Sequence, residues 1–260
     1  MQPPTLWGLT VSPWTEKARW ALDHHRLGYR YREHLPLIGE PALRWRTRDR
    51  PAGARATVPL LVDGRHSISD SDAIARYVER ERAGDHPDSA PLFPREHEAA
   101  ISRWEREVGS AMHAARVLLT QALLHDPEAQ IEMLPPQIPG FLRRPLRPVA
   151  VTGASFIARK HDAGPDQIAV STRVLTQFAA RLREALAAGP FVLGPAFTWA
   201  DVGAAMVVNG FSGGVPGRFE RWPASAGTWT RPELVHEFDD LIAWRDQLYA
   251  EQRPPTAEIR

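Results

Sequence analysis

The chain has no cysteine among its 260 residues. That absence excludes disulfides, thiolate-bound metals and a cysteine nucleophile, so any sulfur chemistry requires a thiol brought from outside. It says little about compartment, because a reducing cytosol does not require thiols. An excess of one charge is also missing. The 32 Lys and Arg against 31 Asp and Glu leave a net charge of +1, which supplies no global field toward nucleic acid or an anionic membrane. A charged partner must be recognised locally. No run approaches the roughly 18 apolar residues needed to span a bilayer, and the opening "MQPPTLWGLT" has no basic segment followed by an apolar core. The expectation is a cytoplasmic protein with no membrane and no nucleic-acid partner. His24 and His25 are adjacent rather than three or four apart, and no carboxylate cluster joins them, so no metal is expected.

What is present is ample apolar material, 43% hydrophobic residues, enough for sizeable cores in one large or two ordinary domains. Residues 4–84 alternate in pattern. "TLWGLTV" reads as a buried strand, 15–27 as a helix, "YRYREH" as an alternating strand and "EPALRWRTR" as a short helix. "TVPLLVDGRHSI" reads as a hairpin turning at Asp63-Gly64, and "SDSDAIARYVERERAG" as an amphipathic helix with Ile74, Tyr77 and Val78 on one face. The order is βαβαββα. Pro, Asp and Ser gather in 84–96 as a linker. Beyond it the period becomes helical, first over 96–125 with Ile101, Trp104, Val108, Met112 and Ala115 in one stripe, then over 165–188, 199–210 and 231–251. The predicted fold is therefore an α/β domain over 1–84 and an all-helical domain over 96–260. A proline-rich insertion near 126–164 interrupts the second domain and reads as irregular chain with one short helix near 150–160. Its arginines read as solvated, ahead of a basic arm over a site or against an anionic surface. "GFSGGVPGRF" matches neither glycine-rich phosphate pattern and reads as a mobile loop.

Three motifs carry chemistry. "SPWT" follows the first strand, so Ser12 stands at the opening of a helix with Pro13 at its first position. Alone, that pattern reads as a helix cap, with Thr15 or Glu16 completing a local network. Pro59 interrupts the strand "TVPLLV", a placement that fits a cis Val58-Pro59 bond. Such a bond leaves the Val58 N–H and C=O to pair with an extended peptide. In "SDSD", Ser69 and Asp72 have the spacing of a capping box, and a helix N-terminus there also suits a carboxylate, with Asp70 suited to an adjacent ammonium. Farther on, Thr198 and Asp201 show capping-box spacing, flanked by Phe197 and Val202 as a hydrophobic staple.

In this order and at these separations, the motifs resemble the glutathione transferase family over almost the whole chain except the insertion. The resemblance implies a thioredoxin-like N-terminal domain that binds glutathione as co-substrate, followed by an all-helical domain. It puts Ser12 where serine-type members carry their catalytic hydroxyl. Val58 and Pro59 fall at the position that pairs with the glutathione backbone, and Asp70-Ser71 where an acidic or Gln residue and a Ser hold the γ-glutamyl end, here with the shorter Asp. Arg46, Arg48 and Arg55 are candidate partners for the glycyl carboxylate, and the sequence does not choose among them. A second-substrate pocket is implied near Trp14, Met112 and Arg116. The resemblance further implies a homodimer and a detoxifying transferase acting on a small-molecule electrophile. An ether-cleaving or isomerising enzyme would share the same glutathione residues, and a non-catalytic partner-binding protein would share the fold alone.

The chemistry asked of Ser12 has a definite size. A free thiol titrates near 8.5, and lowering that to about 6.5 requires roughly 2.7 kcal/mol in favour of the anion. A hydroxyl hydrogen bond together with helix N-terminal amides is of that order. Ser12 is thus a donor to a borrowed thiolate, because nothing in the tetrad supplies the base that an attacking serine needs.

Overall fold

The computed structural model describes residues 2–35, 39–48, 56–82, 90–134, 138–215 and 223–259. It divides into two compact units, one formed by 1–96 together with 250–260, the other by 97–249. The described residues from 250 to 259, expected in the helical half, belong to the first unit instead.

In the first unit the order is β1 (Thr5–Gly8), α1 (Pro13–His24), β2 (Arg30–Glu33), α2 (Glu40–Arg46), β3 (Leu60–Asp63), β4 (His66–Ser69) and α3 (Ser71–Arg82), the predicted βαβαββα. The described residues form a four-stranded sheet ordered β2-β1-β3-β4. β1 pairs parallel with β2 and antiparallel with β3, and β3 and β4 form the hairpin. Gly64 turns that hairpin at φ 58°, a conformation open to glycine at no steric cost. Leu6, Ala18, Leu22, Tyr29, Leu61, Ile74 and Val78 make its buried core. Each large apolar member contributes about 1.5–3 kcal/mol by leaving water. The chain after α3 is pinned to the same unit. The Glu79 carboxylate accepts from the Leu92 and Phe93 amides at 2.7 and 3.1 Å, and His24 Nε2 lies 2.7 Å from the Ala90 carbonyl.

The second unit is helical. The 28-residue α4 (Glu98–His125) is its axis, with all five stripe residues buried. Against it pack α7 (Arg147–Lys160), α8 (Ile168–Leu186) and α9 (Trp199–Ser212), and α5 (Pro127–Glu132), α6 (Gly140–Arg143), α10 (Pro223–Trp229), α11 (Pro232–Glu237) and α12 (Asp239–Gln252) complete the described helices. α9 is apolar apart from Asp201 and Asn209 and is buried from Trp199 to Phe211, as a helix that is hydrophobic nearly all round must be. The Thr198–Asp201 capping box is present. Two expectations change here. Among its described residues the insertion holds three helices rather than one, and 231–251 is two helices broken at Phe238, whose φ and ψ of −122° and 40° leave the helical region. The loop expected at 210–219 begins within α9, which ends at Gly213 in the left-handed conformation. Residues 216–222 lie outside the described residues.

Candidate functional site

Strand register brings the three motifs to one end of the sheet. Leu60 pairs with Trp7 on one side and with Ser69 on the other, and Gly8 stands beside Glu33. Just beyond this row the chain carries the β1–α1 turn with Ser12, the Val58-Pro59 pair entering β3, and Asp70-Ser71 leaving β4.

Ser12 is the N-cap of α1 by backbone position, with φ −82° and ψ 125°. Its N–H donates to the Leu9 carbonyl at 2.9 Å, and its own carbonyl accepts from the Glu16 amide at 3.0 Å. Its side chain makes no capping bond. The half-buried hydroxyl therefore stands uncommitted at the positive end of a helix dipole, and the cap reading does not hold for it. The buried Thr15 orders the turn instead, its Oγ1 accepting from the Leu9 amide at 3.1 Å. This close approach requires glycine before it, since a Cβ on Gly8 would lie 2.4 Å from the Thr15 methyl.

A second clamp holds the same turn. Glu33, at the end of β2, accepts the Thr10 amide at 3.0 Å and the Thr10 hydroxyl at 2.6 Å, and the Tyr31 hydroxyl donates to it at 2.8 Å. Burial, then the Glu33 charge, push the Tyr31 phenol well above its ordinary value, so it stays a donor. Sequence reading missed this trio. Its only trace is the i, i+2 placement of Tyr31 and Glu33 on one face of a strand.

The Val58-Pro59 bond is cis, and Pro59 is buried. Asp70 has φ 80°, uncommon outside glycine although Asp tolerates it better than most. Its Oδ1 accepts from the Asp72 and Ala73 amides at 2.9 and 3.2 Å, so Asp70 caps α3. The capping box expected between Ser69 and Asp72 is corrected accordingly: Ser69 is the last residue of β4, held there by its pairing with Leu60. Ser71 is buried at the first position of α3. Arg55 lies outside the described residues. Arg46 and Arg48 stack on tryptophans, Arg46 at 4.3 Å from the Trp7 ring centre and Arg48 at 4.5 Å from that of Trp45.

The sequence model of the family described as "Glutathione S-transferase, N-terminal domain" matches residues 6–86, the span that contains all of these groups. Over these residues the chain carries a glutathione S-transferase N-terminal domain. Solved structures share the fold along nearly the whole chain. Glutathione transferase GSTFuA2 of Phanerochaete chrysosporium aligns with 97% of this chain and 99% of its own at TM-score 0.62 and 18% identity. β-Etherase LigF of Sphingobium sp. strain SYK-6 aligns over 96% of both chains at 0.61 and 18%. A theta class glutathione S-transferase of Xanthomonas axonopodis, solved with glutathione bound, aligns with 96% of this chain and 94% of its own at 0.57 and 22%. No curated protein matches the sequence.

The residues implied for a second substrate fall in both units of this glutathione transferase fold. Trp14 is half-buried in the first turn of α1. Met112 is 2% exposed in the core of the helical unit. Arg116, on the same helix, lies 3.0 Å from His161 Nδ1, and burial pulls its guanidinium down to about 10. Among the described residues no group of three His, Asp or Glu is placed to hold a metal ion, and no helix is long and apolar enough to cross a membrane.

Proposed function

We propose that the protein is a glutathione-dependent transferase in which Ser12 donates a hydrogen bond to the glutathione thiolate. The supporting observation is the register that gathers an uncommitted Ser12 hydroxyl, the Val58-Pro59 backbone and the N-terminus of α3 at one sheet end. The Val58 main chain pairs with the extended tripeptide. The Ser71 amide and hydroxyl receive the γ-glutamyl carboxylate, while Asp70 Oδ2, the oxygen not used in capping, faces the ammonium. With the thiol proton released to solvent, the sulfur lone pair forms the new bond to an electrophilic carbon and the leaving group departs with its electron pair. Ser12 takes no proton in this step. Its donor bond and the α1 dipole make the anion the resting form.

An ether carbon is the second reading, raised by the likeness to a β-etherase. Titrating glutathione calorimetrically into wild type and Ser12→Ala, with ultraviolet detection of bound thiolate near neutral pH, tests the proposal. Binding by both is expected, with the thiolate signal lost in the variant and its midpoint raised by about two pH units. No binding to wild type would leave a scaffold that retains the fold without the chemistry.

A further inference from the structure

The near-neutral balance of the whole chain predicts no membrane partner, yet its charge is not evenly spread. From Met133 to His161 there is no Asp or Glu, while Arg143, Arg144, Arg147, Arg159 and Lys160 all fall within that stretch. Three exposed large hydrophobics stand among these arginines. Phe141 is 78% exposed, Val149 56% and Leu142 39%. Exposed apolar side chains scattered singly are ordinary, but three within nine residues make a patch.

This patch is held out by structure. The Arg143 guanidinium folds back under it and donates to the carbonyls of Ile131, Leu134 and Ile138 at 3.1, 2.8 and 3.4 Å, tying α6 to the end of α5. Pro139 precedes α6 and Pro148 opens α7, fixing φ on both sides of the exposed turn. Arg144 and Arg147 are exposed between the apolar residues. Glu128 approaches Arg144 only at 3.7 Å, and both side chains are mostly in water, where such a pair attracts weakly.

We propose that Pro139–Val149 docks on the anionic surface of a lipid bilayer. Phe141, Leu142 and Val149 would enter the headgroup and acyl boundary, and Arg144 and Arg147 would remain among the phosphates. Bulky apolar groups flanked by arginines, in a segment with no acidic residue of its own, are the chemistry of an interfacial anchor. A polyanion such as nucleic acid gains little from exposed Leu and Val, because its surface toward arginine is hydrated phosphate. A surface held rigid beforehand loses less freedom on docking.

Co-sedimentation of the full chain with phosphatidylcholine vesicles, and with vesicles of equal parts phosphatidylcholine and phosphatidylglycerol, tests this. Binding is expected only to the anionic vesicles and weakens with added salt. Arg144→Gln with Arg147→Gln lowers partitioning on the order of 30-fold. Phe141→Ser lowers it at every salt concentration. All of these side chains are exposed, so the melting temperature stays at its wild-type value, which separates lost docking from lost folding. Equal partitioning onto both vesicle types, or variants that bind as wild type does, would overturn the proposal. So would tighter binding to duplex DNA that ignores Phe141→Ser, or an oligomer that Phe141→Ser dissolves while vesicles stay unbound.

Discussion

Glu33 sits two elements away from Ser12 in sequence and yet fixes the turn that carries it, through Thr10. Because the proposed bond from Ser12 to sulfur is directional, a turn that drifts by a fraction of an ångström loses thiolate stabilisation before it loses binding. Glu33→Ala is therefore expected to keep glutathione binding, raise the midpoint of the thiolate absorbance, and lower kcat/KM on the order of tenfold. Glu33→Gln, which retains an acceptor for the Thr10 amide, falls between. An unchanged midpoint in Glu33→Ala would show that Thr15 alone orders the turn. The two residue-scale readings differ in legibility for a physical reason. Ser12 and Pro59 carry local signals, a polar residue before a helical proline and a proline inside a strand. Glu33 acquires its role only from the parallel pairing that sets it beside Gly8, and pairing partners leave no mark in a single strand's composition. "SDSD" offers two overlapping caps, and the β4 register, invisible in the sequence, selects Asp70.

At the scale of elements, periodicity marked the long amphipathic helices well and failed where proline punctuates them. α7 answers to the short helix expected near 150–160, whereas α5 and α6, of six and four residues, are too short to show a period of 3.6, and the tie that organises them is one arginine reaching carbonyls several residues back. The α9 cap was legible because its chemistry is local, and it carries a testable charge. Asp201 Oδ1 accepts from the Val192 amide at 2.7 Å, and Oδ2 accepts from the Thr198 amide and hydroxyl at 2.8 and 3.1 Å. Burial outweighs these three donors and pushes the carboxyl up to about 6. A folded-state pKa above the unfolded one means that the stability this group adds is complete below about pH 4 and is lost as pH rises through about 6. Asp201→Asn cannot titrate, and its NH₂ group faces a backbone donor. The variant is expected to be less stable throughout, by about 1–3 kcal/mol at neutral pH. The gap to wild type then widens by about 2 kcal/mol near pH 4.5. Urea unfolding near pH 4.5 and near pH 7.5 measures both. A gap that narrows in acid would mean that the three donors, not burial, govern the carboxyl.

For the molecule as a whole, the notable fact is that the end of the chain returns to its beginning. The Ile259 amide donates to the Tyr29 carbonyl at 2.7 Å and the Tyr29 amide donates to Ala257 at 3.3 Å, extending the first unit past the start of β2. Gly28 permits this, since a Cβ there would lie 2.8 Å from the Ile259 side chain. Arg253 is the anchor. Its Nε lies 3.0 Å from Glu16 and its Nη2 2.8 Å from Asp23, and the Asp23 side chain is fully buried. Burial alone would depress the Arg253 guanidinium, but the two carboxylates outweigh it and hold it above its ordinary value. Asp23 is still raised, burial exceeding the help from Arg253 and the Ala257 amide. The contacts of Arg253 and Ala257 grip α1, the helix that Ser12 begins as N-cap, so the tail braces the element that carries the proposed site. Arg253→Ala strands a buried carboxylate and is expected to cost about 3–5 kcal/mol. Arg253→Lys recovers only part of that, because one ammonium cannot serve both acids with the geometry of a guanidinium. Ending the chain at Gln252 removes both Asp23 partners and costs at least as much as Arg253→Ala. Hydrogen exchange should show the loss first in α1 and at the start of β2, before the helical unit changes. A truncated chain that melts with wild type, with α1 equally protected, would reduce the tail to an appendage.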